Sequence, residues 1–240
     1  MFYHFSCTME NIFKKLGGYD FMKAPYIKYA LAITLAATTV AYVAEGPVQA
    51  AVPFKDLQNV GDHYTAIDEL YNLGIIEGRS LTAFAPSEAA TRAELALFIA
   101  NALNLDTKNV VDPGFTDVPK NSKYHGAIAA LYNKGIISGY PDKTFKPDAN
   151  VTRSQVAKML VIGFDLEIVN TTTTKFKDVN TINDTDTRRY IQTLVQYNIT
   201  KGTSETTFSP NDLVKRAQIA TFLKRAIDNT TSDFEIISVE

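Results

Sequence analysis

The sequence predicts an all-α protein built from three tandem helix-loop-helix repeats. Two observations carry this. A set of five short landmarks recurs three times in fixed order, and each copy contains two stretches with apolar residues at helical spacing. Phe54-Lys55-Asp56, Phe115-Thr116-Asp117 and Phe176-Lys177-Asp178 lie 61 residues apart. Ala66-Ile67-x-x-Leu70 returns as Ala127-Ile128-x-x-Leu131 and Tyr190-Ile191-x-x-Leu194. Gly74-Ile75-Ile76-x-Gly78 returns as Gly135-Ile136-Ile137-x-Gly139 and, more loosely, as Asn198-Ile199-Thr200-x-Gly202. Phe84-x-Pro86 matches Phe145-x-Pro147 and Phe208-x-Pro210. Thr91-Arg92-Ala93-Glu94 matches Thr152-Arg153-Ser154-Gln155 and Lys215-Arg216-Ala217-Gln218. The later landmarks of the third copy sit 63 residues on, which places a two-residue insertion between Asp178 and Tyr190.

Within a repeat, Ala66, Ile67, Leu70 and Leu73 form one apolar stripe of a first helix. Gly74 follows as its terminator, because glycine adopts the left-handed conformation there at little cost. Asn198 takes that place in the third repeat. The loop from Gly78 to Pro86 is rich in turn formers, with Phe84 as its anchor in the core; Phe145 and Phe208 serve alike. Thr91-x-x-Glu94 and Thr152-x-x-Gln155 are capping boxes that open the second helices. Leu95, Ile99, Ala102 and Leu103 make the second stripe. Lys215 removes the side-chain cap from the third repeat, a loss of about 1 kcal/mol. Two helices cannot bury both stripes alone, so the repeats pack on one another. The repeats are bounded at 54–105, 115–166 and 176–228, with a polar linker at 104–114, an exposed connection around Asn170–Thr174 and a tail over 229–240.

Residues 1–50 have a different character. The apolar stretch 27–44 follows Lys23 and Lys28 and precedes Val48-Gln49-Ala50, the layout of a secretory signal cleaved after Ala50. The alternative is a retained N-terminal membrane helix. Met22-Lys23 opens a signal of ordinary length, leaving residues 1–21 as an upstream extension. The single cysteine, Cys7, lies in that extension, so the mature chain has no disulfide or thiolate chemistry.

With 45% hydrophobic and 21% charged residues the chain is an ordinary folded protein. Its net charge of −2 argues against nucleic-acid binding, which needs a basic face. No phosphate loop, nucleophile elbow or metal-ligand spacing is present, so no cofactor and no metal are expected. His63 and His125, near the starts of first helices, read as half-buried structural residues.

The landmark string, best developed in the second repeat with Gly139-Tyr140-Pro141-Asp142 and Thr152-Arg153, resembles the S-layer homology (SLH) family over residues 54–228. Asn198, Thr200, Lys215 and the insertion depart from its pattern, as does Arg79-Ser80 in place of Tyr-Pro-Asp. The resemblance implies a pseudo-threefold arrangement around a central three-helix bundle. It also implies a non-enzymatic surface anchor whose inter-repeat grooves bind secondary cell-wall polysaccharide, often pyruvylated. The ligand-binding residues it suggests are Arg92, Arg153 and Arg216, Asp56, Asp117 and Asp178, and Gly78, Gly139 and Gly202.

Physical chemistry suits each of them to such a site. An arginine at a helix N-terminus adds a forked donor to the positive end of the helix dipole, which suits a pyruvyl carboxylate. The aspartates can accept sugar hydroxyls, and the glycines let backbone amides approach a ligand. The same residues also have structural readings: arginines pairing with a neighbouring repeat's acid, aspartates as caps or turn residues, glycines as conformational necessities. Rival functions are a laterally assembling structural protein and a wall hydrolase, the latter needing a carboxylate pair in one site. No stable membrane span is expected after signal cleavage.

Overall fold

The computed structural model describes residues 52–235, all within the compact unit Tyr42–Glu240. The proposed signal and its cleavage site lie outside the described residues. Seven helices follow one another: α1 (His63–Asn72), α2 (Arg92–Ala102), α3 (His125–Asn133), α4 (Arg153–Gly163), α5 (Lys177–Asn180), α6 (Thr185–Gln196) and α7 (Arg216–Glu235). The described residues form an all-α protein in which α1, α3 and α6 are the first helices of the repeats and α2, α4 and α7 the second.

Each first helix packs on the second helix of the preceding repeat: α3 on α2, α6 on α4, and α1 on α7. The last of these pairings joins the first repeat to the third and closes the ring. At the centre α2 meets both α4 and α7. Three antiparallel bridges repeat the cycle at the backbone level, Thr91 with Asn150, Thr152 with Leu213 and Ala89 with Lys215. Every repeat thus contacts both others, the pseudo-threefold closure that the resemblance implied.

Local signals explain most element ends. Thr91 and Thr152 adopt extended φ/ψ, and each completes a capping box with Glu94 or Gln155. In the third repeat half the box survives: the Lys215 amide donates to Gln218 Oε1. Gly74, Gly135 and Asn198 have φ of 69°, 72° and 54°, the left-handed terminator expected after each first helix. Phe84, Phe145 and Phe208 are fully buried, each 5.6–5.7 Å from the aromatic ring that opens its own repeat (Phe54, Phe115, Phe176).

Four details differ from expectation. Leu73 is exposed, because it lies at the C-cap of α1 after the stripe has turned away from α7. Around α2 burial covers nearly every face, including Ala93, Ala96, Phe98 and Ala100, since a helix between two others has no solvent side. The insertion in the third repeat accommodates the one-turn helix α5, and Thr174 in the preceding linker is buried, its hydroxyl donating to Phe176 O. Finally, α7 continues to Glu235, through residues read as a tail. Asn229 helps hold it there, donating to Tyr197 O.

Candidate ligand-binding grooves

An arginine holds the first position of each second helix, after a threonine cap in the first two repeats and after Lys215 in the third, and each reaches across to the loop of the next repeat. Arg92 Nε donates to Phe145 O (2.9 Å), Arg153 Nε to Phe208 O (2.8 Å), and Arg216 Nε to Phe84 O (2.7 Å). Each guanidinium also lies over the ring of that same phenylalanine, 4.5–4.6 Å from its centroid. These contacts mark three equivalent repeat junctions, the candidate grooves.

The aspartates act on the other end of the same peptide units. Asp56 accepts the amides of Phe84 (3.0 Å) and Ala85 (2.7 Å). Asp117 accepts those of Phe145 and Lys146 (2.8 Å each), and Asp178 those of Phe208 (3.0 Å) and Ser209 (2.7 Å). Ala85, Lys146 and Ser209 all have positive φ (61°, 59°, 59°), unusual for residues with a Cβ. A carboxylate taking two successive amides offsets that cost and pins the loop. So the phenylalanine of each loop is held at its N–H by its own repeat and at its C=O by the preceding one.

The glycines are packing positions. A Cβ on Gly78, Gly139 or Gly202 would come within 3.0 Å of the aromatic ring opening its repeat and of a loop carbonyl. Gly202 also has φ of 90°.

The sequence leads one to expect unpaired amides at these helix starts, and the fold pairs them. The helix N-terminal amides are not free for an anion. Arg92 N and Ala93 N donate to Ala149 O and Pro147 O; Arg153 N and Ser154 N to Asp212 O and Pro210 O; Arg216 N and Ala217 N to Glu88 O and Pro86 O. The third amides of α2 and α4 go to Thr91 and Thr152. At these junctions the helix amides are paired, and the remaining candidate donors are the arginine side chains.

The three arginines differ in their company. Arg92 stacks on Phe145 and lies 5.3 Å from the Tyr140 centroid, and Lys146 Nζ sits 4.1 Å from the same Tyr140 ring. Arg153 donates from Nη2 to Thr200 Oγ1 (3.2 Å) and lies near Phe222. Among the described residues neither Arg92 nor Arg153 pairs with a carboxylate. Arg216 does: Nη1 meets Glu94 Oε1 at 2.7 Å and Nη2 donates to Glu77 O at 2.6 Å. Exposure falls in the same order, 7% for Arg92, 4% for Arg153 and 1% for Arg216. Tyr140, Lys146 and Glu94 were not singled out as groove residues from sequence. Their signal is the variation at matched positions, Arg79/Tyr140/Thr203 after the glycine and Glu94/Gln155/Gln218 in the helix.

Burial pushes the pKa of all three guanidinium groups down. The negative charges of Asp117 at Arg92, of Asp212 and Asp178 at Arg153 and of Glu94 at Arg216 work against it. At Glu94 burial works to raise the carboxyl pKa, but the hydrogen bond from Arg79 and the charge of Arg216 outweigh it and leave the pKa below its ordinary 4.5. A lowered folded pKa gives stability that is complete above the unfolded value and drains away as pH falls through the folded one. Urea midpoints measured from neutral pH down to about pH 3 are therefore expected to fall more steeply in the wild type than in Glu94→Gln.

His63 Nδ1 and Thr221 Oγ1 share a hydrogen bond of 2.6 Å across the α1–α7 contact. His125 Nε2 lies 3.5 Å from Asp112 Oδ1. Among the described residues no three His, Cys, Asp or Glu side chains gather as metal ligands, and no helix is long and apolar enough to cross a membrane.

Comparison with known proteins agrees with this architecture. The S-layer homology domain matches residues 53–96, 114–157 and 175–220, one match per repeat. A surface-layer 125 kDa protein of Lysinibacillus sphaericus is 30% identical over 211 residues, covering 85% of this chain and 18% of that protein. An S-layer protein of Bacillus thuringiensis subsp. finitimus is 31% identical over 202 residues, 82% of this chain and 24% of its own length. A cellulosome-anchoring protein of Acetivibrio thermocellus is 30% identical over 152 residues, 60% of this chain and 33% of that protein. The chain thus spans a third or less of each of these relatives. Three family matches on three structural repeats leave one conclusion: this chain belongs to the S-layer homology family and is a cell-surface, cell-wall-associated protein.

Proposed function

We propose that the chain is a non-covalent anchor that binds pyruvylated secondary cell-wall polysaccharide in its inter-repeat grooves, chiefly those headed by Arg92 and Arg153. One observation carries the reading. Two buried guanidinium groups are held rigidly by stacking and a carbonyl, yet neither pairs with a carboxylate among the described residues. A buried cation with no carboxylate in direct contact is costly, and a ligand carboxylate would supply that contact. In the Arg92 groove Lys146 adds a second cation on the Tyr140 ring.

Asp178 borders an open cleft of about 470 Å³ with Ser209 and Asp212, where it stands within reach of sugar hydroxyls. The family match and the relatives named for the S-layer and for anchoring support a wall-binding role. The reading is of a binder, not an enzyme: the three repeated aspartates are each engaged by two loop amides rather than set as a facing acid–base pair.

Co-sedimentation with purified wall fragments tests it. Wild-type protein is expected to pellet with the wall, and removing the pyruvyl groups or introducing Arg92→Ala with Arg153→Ala is expected to weaken binding at least about tenfold, a loss of one charge-assisted contact or more. Unchanged binding by the folded double variant rejects the arginine sites. Release of soluble sugar by pure protein would favour the hydrolase.

A further inference from the structure

The third groove contains its own anion. Arg216 is the most buried arginine of the three, and its guanidinium is occupied on three sides: Phe84 O, Glu77 O and Glu94 Oε1. Glu94 is held in turn by Arg79, whose Nε donates to Oε1 (2.9 Å) and Nη2 to Oε2 (3.1 Å). Arg79 is fixed by Glu88 and by Ala89 O (2.9 Å). Glu77 itself pairs with Lys123 of the second repeat at 2.5 Å.

Position by position, the other grooves lack this chain of pairs. Gln155 stands where Glu94 does in the groove of Arg92, and Gln218 in that of Arg153. Tyr140 and Thr203 replace Arg79. A glutamine has the shape to complete the capping box, as Gln155 does, without the charge to neutralise an arginine. Glu94 does both, closing the box on Thr91 while its second oxygen meets Arg216.

We propose that Glu94 is a built-in surrogate ligand: its carboxylate takes the place in the third groove that an external carboxylate takes at Arg92 and Arg153. The chain is then a two-site binder carrying a third, latent anion site that neutralisation of Glu94 uncovers. The inference rests on the anion-binding reading of the other two grooves, and the experiment separates the two claims.

Calorimetric titration with a methyl glycoside bearing a pyruvyl ketal is expected to give two sites in the wild type and three in Glu94→Gln. In the Arg92→Ala, Arg153→Ala background it gives none, and adding Glu94→Gln restores one. No binding to wild-type protein overturns the anchor reading itself. Two sites in both wild type and Glu94→Gln, or three already in the wild type, leave that reading standing and overturn the surrogate. Circular dichroism checks that the variant folds. If it does not, the wild type still decides: at saturating glycoside the Arg92 and Arg153 Nε–Hε resonances shift and that of Arg216 stays in place. A shift of Arg216 equal to theirs overturns the proposal.

Discussion

Arg216→Ala is expected to destabilise the protein by about 3–5 kcal/mol, the scale for removing one partner of a buried ion pair. The loss has several parts. Glu94 keeps Arg79 but loses its buried counter-charge, and the carbonyls of Phe84 and Glu77 lose their donors. The apolar stem and guanidinium also leave the rings of Phe84 and Phe98. Since Phe84 belongs to the first repeat and Arg216 to the third, the junction that closes the ring is what weakens. Thermal unfolding should begin about 6–20 °C lower, at roughly 2–4 °C per kcal/mol for a domain of this size. Arg92→Ala provides the contrast. It removes one carbonyl bond and a stacked cation with no carboxylate partner, so about 1–2 kcal/mol is expected. Equal losses in the two variants would mean that Glu94 contributes little to holding Arg216, and that the three junctions are energetically alike.

The contrast between those two arginines also marks where sequence reading reached its limit. What depends on a residue and its near neighbours in the chain was legible. The capping boxes at Thr91 and Thr152, the left-handed Gly74, Gly135 and Asn198, and the buried Phe84, Phe145 and Phe208 all follow from local chemistry repeated three times. The closed ring followed from the resemblance and from the need of each apolar stripe for a partner. What depends on a partner in another repeat was not legible. The amides of Arg92 and Ala93 look free along the chain, and only the fold brings Ala149 O and Pro147 O to them. Glu94 reads as a cap because its cap partner is three residues away, whereas its ionic partner Arg216 is 122 residues away. Leu73 reads as part of a stripe because periodicity does not say where the neighbouring helix ends.

The aspartates too have partners distant in the chain. Sequence alone allowed Asp117 to be a sugar contact or a structural residue. Its geometry makes it a structural clamp that accepts two loop amides at 2.8 Å, with Lys146 held at φ of 59°. Asp117→Ala is expected to cost about 2–4 kcal/mol, below the sum of two charge-assisted bonds because water can reach the Lys146 amide. Asp117→Asn retains one acceptor oxygen and should recover about half of that. The loop released by the alanine variant carries Tyr140, Lys146 and the Phe145 carbonyl, the groups that position Arg92 and flank it. Wall affinity should therefore fall together with the unfolding midpoint, and Asp117→Asn should recover both in parallel. If Asp117→Asn instead keeps full stability while affinity collapses, the carboxylate is touching sugar directly, and the loop would be held by its own turn geometry and the buried Phe145 ring.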